Sequence, residues 1–319
     1  MRMKVVINYQ EYSDVEIEKK VLRQLPGVEI IESRTRDAGE LAKEVVDADA
    51  VIAQYGPLNH DVIAGMKNCK VIVRYGIAVD TIDLKAAKGH GIKVCNVPFY
   101  CLDEVSNHAL ALILALHRKI RLGDQLLRQN QHSLQKIQPI PRLADLTLGL
   151  VGFGHIPRVL AKKVQHMFKK IIVYDPFITH EDLASHGVKA VDLEELFRAS
   201  DFISVHAPSN PKTLHMVNGH LLSLMKPTAY LINTSRGALI DEHSLIEALQ
   251  ARKIAGAGLD VFETEPLPPY SPLRTLDNVV FTMHFAWYSE GAIRELKETA
   301  AMEALRVLRG EEPLHEVKI

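Results

Sequence analysis

Three segments in the last third of the chain, LINTSRG, GLDVFETEP and VVFTMHFAW, each follow a run of strand-forming residues with groups that can do chemistry: Arg236, Asp260 with Glu265, and His284. In open parallel sheets the carboxyl ends of the strands line the crevice where ligands bind, so groups distant in sequence can converge there. The residue types suit one kind of reaction. Moving a hydride on or off a carbon that bears oxygen requires a proton to follow, and an imidazole gives and takes protons near neutral pH. A carboxylate beside the imidazole orients the ring and favours its charged form, while a guanidinium holds a substrate carboxylate through two parallel hydrogen bonds. Arg236, Glu265 and His284 supply these groups. Among 15 histidines, His284 is singled out by its neighbours, and His206 reads as structural.

A hydride needs a carrier, and residues 147–157, TLGLVGFGHIP, offer a place for one. A hydrophobic strand leads to Gly152 and Gly154 and then into a helix through Val159, Leu160 and Val164. Glycines let the backbone approach a pyrophosphate, and the amides and dipole of the helix start attract its charge. Pro157 stands where a third glycine is usual. Proline is tolerated in the first helical turn, so the phosphate site is expected to persist with altered helix placement. Asp175 closes the strand IIVYD at the distance of a ribose-binding acid, and no arginine follows in DPFITHED; both features favour NAD over NADP. The plainer alternatives are a glycine turn without a ligand and a strand-end turn acid.

These groups must be held by a particular succession of elements. Short β-branched runs at Lys4–Asn8, Val28–Ile31, Ala50–Ala53, Val71–Arg74 and Lys93–Val97 alternate with helical segments at Val15–Leu25, Glu40–Val46 and Leu84–Lys88. A second series begins at Leu146–Val151 and continues through Ile171–Tyr174, Phe202–Val205, Tyr230–Ile232, Ala257–Val261 and Val279–Thr282. Alternation of this kind predicts parallel sheets covered on both faces. Between the series lies an apolar helix, Asp103–Arg121, followed by a polar excursion from Gly123 to Asp145. A last helix, Glu290–Arg309, carries Ile293, Leu296, Ala300, Ala304 and Leu305 at helical spacing and is expected to return to the first domain, making that domain discontinuous.

Composition narrows the partners. With Lys plus Arg at 38 against Asp plus Glu at 39, the net charge of -1 gives no long-range pull toward nucleic acid or an anionic membrane. The longest apolar run, Ala109 to Leu116, is far short of the roughly 20 residues that span a bilayer. Cys69, Cys95 and Cys101 lack metal-ligand spacing, which suits reduced thiols, no metal, and cytoplasmic residence.

Taken together, the elements Asn233-Thr234-Ser235-Arg236-Gly237, Asp260 to Pro266 and Thr282-Met283-His284-Phe285-Ala286 resemble the N-T-x-R-G, D-V-F-x-x-E-P and T-P-H-x-A motifs of the D-isomer specific 2-hydroxyacid dehydrogenase family, over nearly the whole chain. Met283 replaces the family's proline, which makes the loop of the histidine less rigid. The resemblance selects Glu265 over Glu263 as the partner of His284 and leaves Glu263 as a solvated neighbour. It implies two doubly wound α/β domains: a Rossmann NAD-binding domain, residues 101–288, inserted in a flavodoxin-like substrate domain, residues 1–100 and 289–319. It further implies that Gly152, Gly154, His155, Ile156, Asp175, His206, Ala207, Pro208, Thr213, Thr234, Ser235 and Asp260 border NAD, with Asp260 facing the nicotinamide carboxamide.

By the same resemblance the loop RYGIAVD supplies Arg74, Gly76, Ile77 and Ala78 to the substrate, with Tyr100, Arg236 and Trp287 around it. Ala78 stands where many relatives carry glycine. Arg74 reads equally as a surface charge at a strand end, and Trp287 as an apolar wall or as a buried anchor of the last helix. The implied activity is hydride transfer between NAD and a small D-2-hydroxy or 2-oxo acid by a homodimer, the Gly123–Asp145 excursion embracing the partner. The segments HFAWYSE and NVPFY are most similar to the C-terminal-binding-protein branch, so an NAD(H)-sensing interaction protein is the alternative. Neither the glutamine that formate dehydrogenases place at position 265 nor the lysine that phosphite dehydrogenases place near position 77 occurs here.

Overall fold

A computed structural model describes residues 3–318. The chain divides into two compact units, one formed by Met1–Tyr100 with Ser289–Ile319 and the other by Cys101–Tyr288. In chain order the first unit contains β1 (Lys4–Asn8), α1 (Glu16–Leu22), β2 (Glu29–Ser33), α2 (Ala38–Val45), β3 (Ala50–Ala53), α3 (His60–Ala64), β4 (Val71–Arg74), α4 (Leu84–Gly89) and β5 (Lys93–Cys95). Its five strands are all parallel and ordered β2-β1-β3-β4-β5, a flavodoxin-like winding. Val6, Val51, Ile72 and Val94 put one face of this sheet into a core with Leu41, Ile63 and Ala87 from the helices.

The second unit runs α5 (Leu102–His117), α6 (Ile120–Arg128), α7 (Leu134–Ile137), β6 (Thr147–Val151), α8 (His155–Val164), β7 (Lys170–Tyr174), α9 (His180–Ser185), β8 (Lys189–Ala190), α10 (Leu193–Ala199), β9 (Phe202–Val205), α11 (Gly219–Leu224), β10 (Tyr230–Asn233), α12 (Glu242–Gln250), β11 (Gly256–Leu259) and β12 (Val279–Phe281). Its seven parallel strands are ordered β12-β11-β10-β9-β6-β7-β8, the Rossmann order with one strand added. Both faces are buried. Leu148 and Leu150 of β6 pack with Leu112, Ile113 and Leu116 of α5 and Leu160 of α8, whereas Ile203, Leu231 and Leu259 join helices α10 to α12 in the opposite core. Strands buried on both faces read as continuous apolar runs, as β6 and β9 do.

α13 (Glu290–Leu308) belongs to the first unit, where it packs on α1, β3 and β4. Its Ser289 hydroxyl accepts the Ala292 amide and so caps the helix, a contact that contributes about 1 kcal/mol.

The crossover differs from the single long helix that hydrophobicity predicts. Lys119 takes a left-handed backbone, φ 51°, which ends α5 and starts α6 in a new direction, so the expected polar excursion opens with a helix. α6 buries Leu126 and exposes Ile120 and Leu127. Pro157 is buried in the first turn of α8, where it lacks only an amide that no helical carbonyl could have accepted. No helix among the described residues is long and apolar enough to cross a membrane.

Candidate active site

β6 and β9 are neighbours whose following crossovers depart in opposite directions along the sheet, β6 toward β7 and β9 toward β10. Such a switch point opens a crevice at the carboxyl edge. The loops leaving these strands touch: Gly152 has φ 90°, and a side chain there would lie 2.9 Å from the His206 carbonyl oxygen. His206 donates its amide to Val151 and shares a 2.8 Å hydrogen bond between its Nε2 and the Ser204 hydroxyl. Thr213 closes the loop after Ala207 and Pro208 by donating its hydroxyl to the Pro208 carbonyl at 2.6 Å.

Asp175 at the end of β7 fixes the other side of the glycine loop. One of its carboxylate oxygens accepts the Phe153 amide at 2.8 Å and the other the Phe177 amide at 2.9 Å. Gly154, at the start of α8, faces open space, while His155 and Ile156 form the first turn. Thr234 is buried with its hydroxyl lacking any hydrogen-bond partner in the protein, and a buried hydroxyl in that condition invites a ligand atom. An open glycine at a helix start, a ribose-height carboxylate and this orphaned hydroxyl fit a dinucleotide. Ser235 donates its hydroxyl to the Val205 carbonyl and its amide to the Asn233 side chain.

Beyond β10 the chain turns sharply because Asn233 donates its side-chain amide to the Arg236 carbonyl at 2.9 Å. Gly237 then packs directly on the D-V-F segment: a Cβ there would come within 1.9 Å of the Phe262 carbonyl carbon. This close approach sets Arg236 beside the loop that carries Glu265. Arg236 donates from Nη1 to the Ser235 carbonyl at 2.8 Å. Glu265 accepts the Phe262 amide on one oxygen at 3.0 Å and meets His284 Nδ1 with the other at 2.6 Å. Burial pushes the Glu265 carboxyl up, but the hydrogen bond from His284, its charge, the Phe262 amide and Arg236 outweigh it and hold the group below 4.5. With Nδ1 occupied, the remaining ring nitrogen of His284 is the one available to a substrate oxygen.

His284 has φ 58°, a left-handed conformation that costs on the order of 1 kcal/mol for a residue with a side chain. Such strain persists only where surrounding contacts impose it. Here the wholly buried Asp260 imposes it. One of its oxygens accepts the Thr282 hydroxyl at 2.5 Å and the Phe285 amide at 3.2 Å, the other accepts the Ala286 amide at 3.0 Å, and its backbone carbonyl accepts the His284 amide at 2.7 Å. The structure thus turns the Asp260 carboxylate under the histidine loop. Trp287 donates its indole N–H to the His284 carbonyl at 3.0 Å, closing the same turn, and Met283 is exposed.

One residue here escaped the sequence reading. His108 of α5 bonds to Thr282 at 2.9 Å; its signal was a histidine one helical turn before Leu112 on a buried stripe. Glu263, read as a solvated neighbour, is exposed, and from the surface it accepts the Glu242 amide and pairs with His215 at 2.6 Å. Among the described residues, no group of three or more His, Cys, Asp or Glu is placed to hold a metal ion.

The residues of the RYGIAVD loop lie in the first unit. Arg74 ends β4 with its Nε buried and without a hydrogen-bond partner, and its guanidinium lies against Gly76 in space that a side chain at 76 would fill. Asn96 donates to the Ile77 carbonyl at 2.6 Å, fixing the turn into Ala78. Tyr75 between them donates its hydroxyl at 2.5 Å to Glu18, which is fully buried, and Lys297 stands 3.6 Å from the other oxygen of Glu18. Tyr100 is buried at the end of the same unit.

A parallel sheet in Rossmann order, with a glycine turn at its switch point and an imidazole-carboxylate pair beside an arginine, defines a dinucleotide-dependent oxidoreductase class. Residues 110–286 match the family model described as D-isomer specific 2-hydroxyacid dehydrogenase, NAD binding domain. A glyoxylate reductase of Thermococcus litoralis is 35% identical over 92% of this chain and 94% of its own length. A D-3-phosphoglycerate dehydrogenase of Methanocaldococcus jannaschii is 38% identical over 92% of this chain, which spans 55% of that longer protein. The solved D-lactate dehydrogenase of Aquifex aeolicus, complexed with NAD and lactic acid, superposes with a TM-score of 0.87 at 30% identity, covering 96% of each chain. The chain therefore belongs to the D-isomer specific 2-hydroxyacid dehydrogenase family. These relatives favour an enzyme over the NAD(H)-sensing alternative.

Proposed function

We propose that the protein is an NAD-dependent D-2-hydroxyacid dehydrogenase that reduces a small 2-oxo acid or runs the reverse oxidation. The observation that carries this reading is the 2.6 Å contact between His284 and Glu265 in a loop held against the N-T-S-R-G turn. Arg236 holds the substrate carboxylate and the neighbouring carbonyl oxygen through its planar fork. His284 passes the proton: in reduction it donates to the oxygen that becomes a hydroxyl, and in oxidation it removes that proton. Glu265 keeps the ring oriented and stabilises its charged form. When bound, NAD supplies or accepts the hydride.

Gly152, Gly154, His155 and Ile156 hold the pyrophosphate, Asp175 the ribose hydroxyls, and Thr234 with His206, Ala207, Pro208 and Thr213 borders the remainder of the cofactor. Residues 1–100 and 289–319 act as the substrate domain and residues 101–288 as the cofactor domain. Arg74, with its orphaned guanidinium nitrogen, the turn at Gly76, Ile77 and Ala78, and Tyr100 and Trp287 serve substrate recognition. Glyoxylate and hydroxypyruvate, named among the relatives' activities, are the first substrates to try.

A homodimer is supported by the apolar side chains of Ile120, Leu127 and Leu134, each more than half exposed on α6 and α7. Cytoplasmic residence is supported by the thiols of Cys69 and Cys95, which form no disulfide and which burial pushes up to about 12. Loss of NADH absorbance is measured against a panel of 2-oxo acids. Turnover of a small member is expected; tight NADH binding without turnover of any member would contradict the enzyme reading and favour a sensor.

A further inference from the structure

We infer that His108 is a positioning residue that holds the proton-carrying loop in its working shape through Thr282 and Asp260. The inference rests on the assignment of His284 as the proton carrier and deepens it. The hydroxyl of Thr282 has a single proton, and the 2.5 Å contact with the Asp260 carboxylate uses it. The same oxygen meets His108 Nε2 at 2.9 Å, so it must accept there, and His108 must carry its proton on Nε2. Burial disfavours the charged ring of His108 more than the nearby Asp260 favours it, which keeps the imidazole neutral.

The chain of contacts has a mechanical meaning. The side chain of Asp260 collects the amides of Phe285 and Ala286, and its backbone takes that of His284. Thr282 fixes the orientation of that carboxylate, and His108 fixes Thr282 from a rigid helix. The His108 ring also meets Phe285 edge-on with centroids 5.0 Å apart. Met283 sits in this loop where a proline would have restricted the backbone by itself, and His284 is left-handed. A loop with neither proline nor glycine at the bend depends on such a brace.

The test uses His108→Phe, which keeps a ring against Phe285 but loses the donor, and His108→Gln, which returns an N–H at the same reach. Reductase kcat and KM, NADH affinity and the emission of Trp287 are measured. Trp287 is the single tryptophan and bonds to the His284 carbonyl, so its emission reports the loop without turnover. His108→Phe is expected to lower kcat roughly tenfold, with NADH affinity within about twofold of wild type and the emission shifted to longer wavelength, while His108→Gln restores both. Wild-type kcat and emission in His108→Phe, or equal loss in both variants, would overturn the inference. If His108→Phe fails to fold, Thr282→Val against Thr282→Ser asks the same question of the hydroxyl, with loss expected only in the first. If the wild type turns over no 2-oxo acid, the functional reading fails, and the Trp287 emission still decides the brace.

Discussion

Glu265 Oε2 and His284 Nδ1 stand 2.6 Å apart, and the second oxygen of Glu265 is tied to the Phe262 amide at 3.0 Å. The carboxylate is therefore oriented by the backbone of its own loop before it orients the imidazole. Replacing it with glutamine keeps the size and removes the charge. Glu265→Gln is expected to lower kcat of the reductase about 10²-fold or more, with NADH affinity little changed, as steady-state kinetics and fluorescence titration will show.

The same pair gives a pH signature in stability. Because the folded-state carboxyl of Glu265 lies below its ordinary 4.5, the contribution is present above the unfolded value and is lost as pH falls through the folded value. Urea denaturation of wild type and Glu265→Gln should give a difference that closes as pH falls through the folded value on the acid side. A difference that grew toward acid would oppose this assignment.

Gly237 sets the distance between the Arg236 turn and the loop that carries Glu265. A methyl at 237 would overlap the Phe262 backbone, so Gly237→Ala must move either Arg236 or the Glu265 loop. Overpacking of this kind costs about 1–3 kcal/mol. A lower melting temperature together with a raised KM for the 2-oxo acid is expected.

In the first unit, Tyr75→Phe removes the donor from a fully buried carboxylate. Burial pushes Glu18 up, and the Tyr75 hydroxyl is the strongest influence holding it down, ahead of Lys297. Loss of that hydrogen bond should cost about 1–3 kcal/mol. Tyr9→Phe, whose hydroxyl meets the partly exposed Glu32 at 2.6 Å, should cost less in the same denaturation series.

Asp175→Ala removes the carboxylate proposed to accept from the ribose, together with the tie to the Phe153 amide. NADH affinity, read by energy transfer from Trp287, should fall by roughly tenfold or more, and the preference for NADH over NADPH should narrow.

The sequence was most legible where one physical constraint acts on one short segment. Strands buried on both faces read as apolar runs, so both sheets were visible in outline, and the glycine turn, Arg236, Glu265 and His284 stood at strand ends as the parallel topology requires. Legibility failed where the outcome depends on a single dihedral or on partners distant in sequence. Nothing in the apolar run around Ala109–Leu116 announces the left-handed Lys119 that redirects the chain into α6. Nor does any one segment show that Asp260, read by resemblance as facing the cofactor, also accepts from Thr282 and Ala286, 22 and 26 residues further on.

The most direct test of the account measures kcat/KM against pH in both directions, for 2-oxo acid reduction with NADH and for hydroxy acid oxidation with NAD, in wild type and His284→Gln. With His284 as the proton carrier, reduction weakens and oxidation strengthens as the imidazole loses its proton, and His284→Gln loses about 10²–10⁴-fold in both directions. Profiles that run parallel in the two directions, or a His284→Gln variant of wild-type activity, would contradict it.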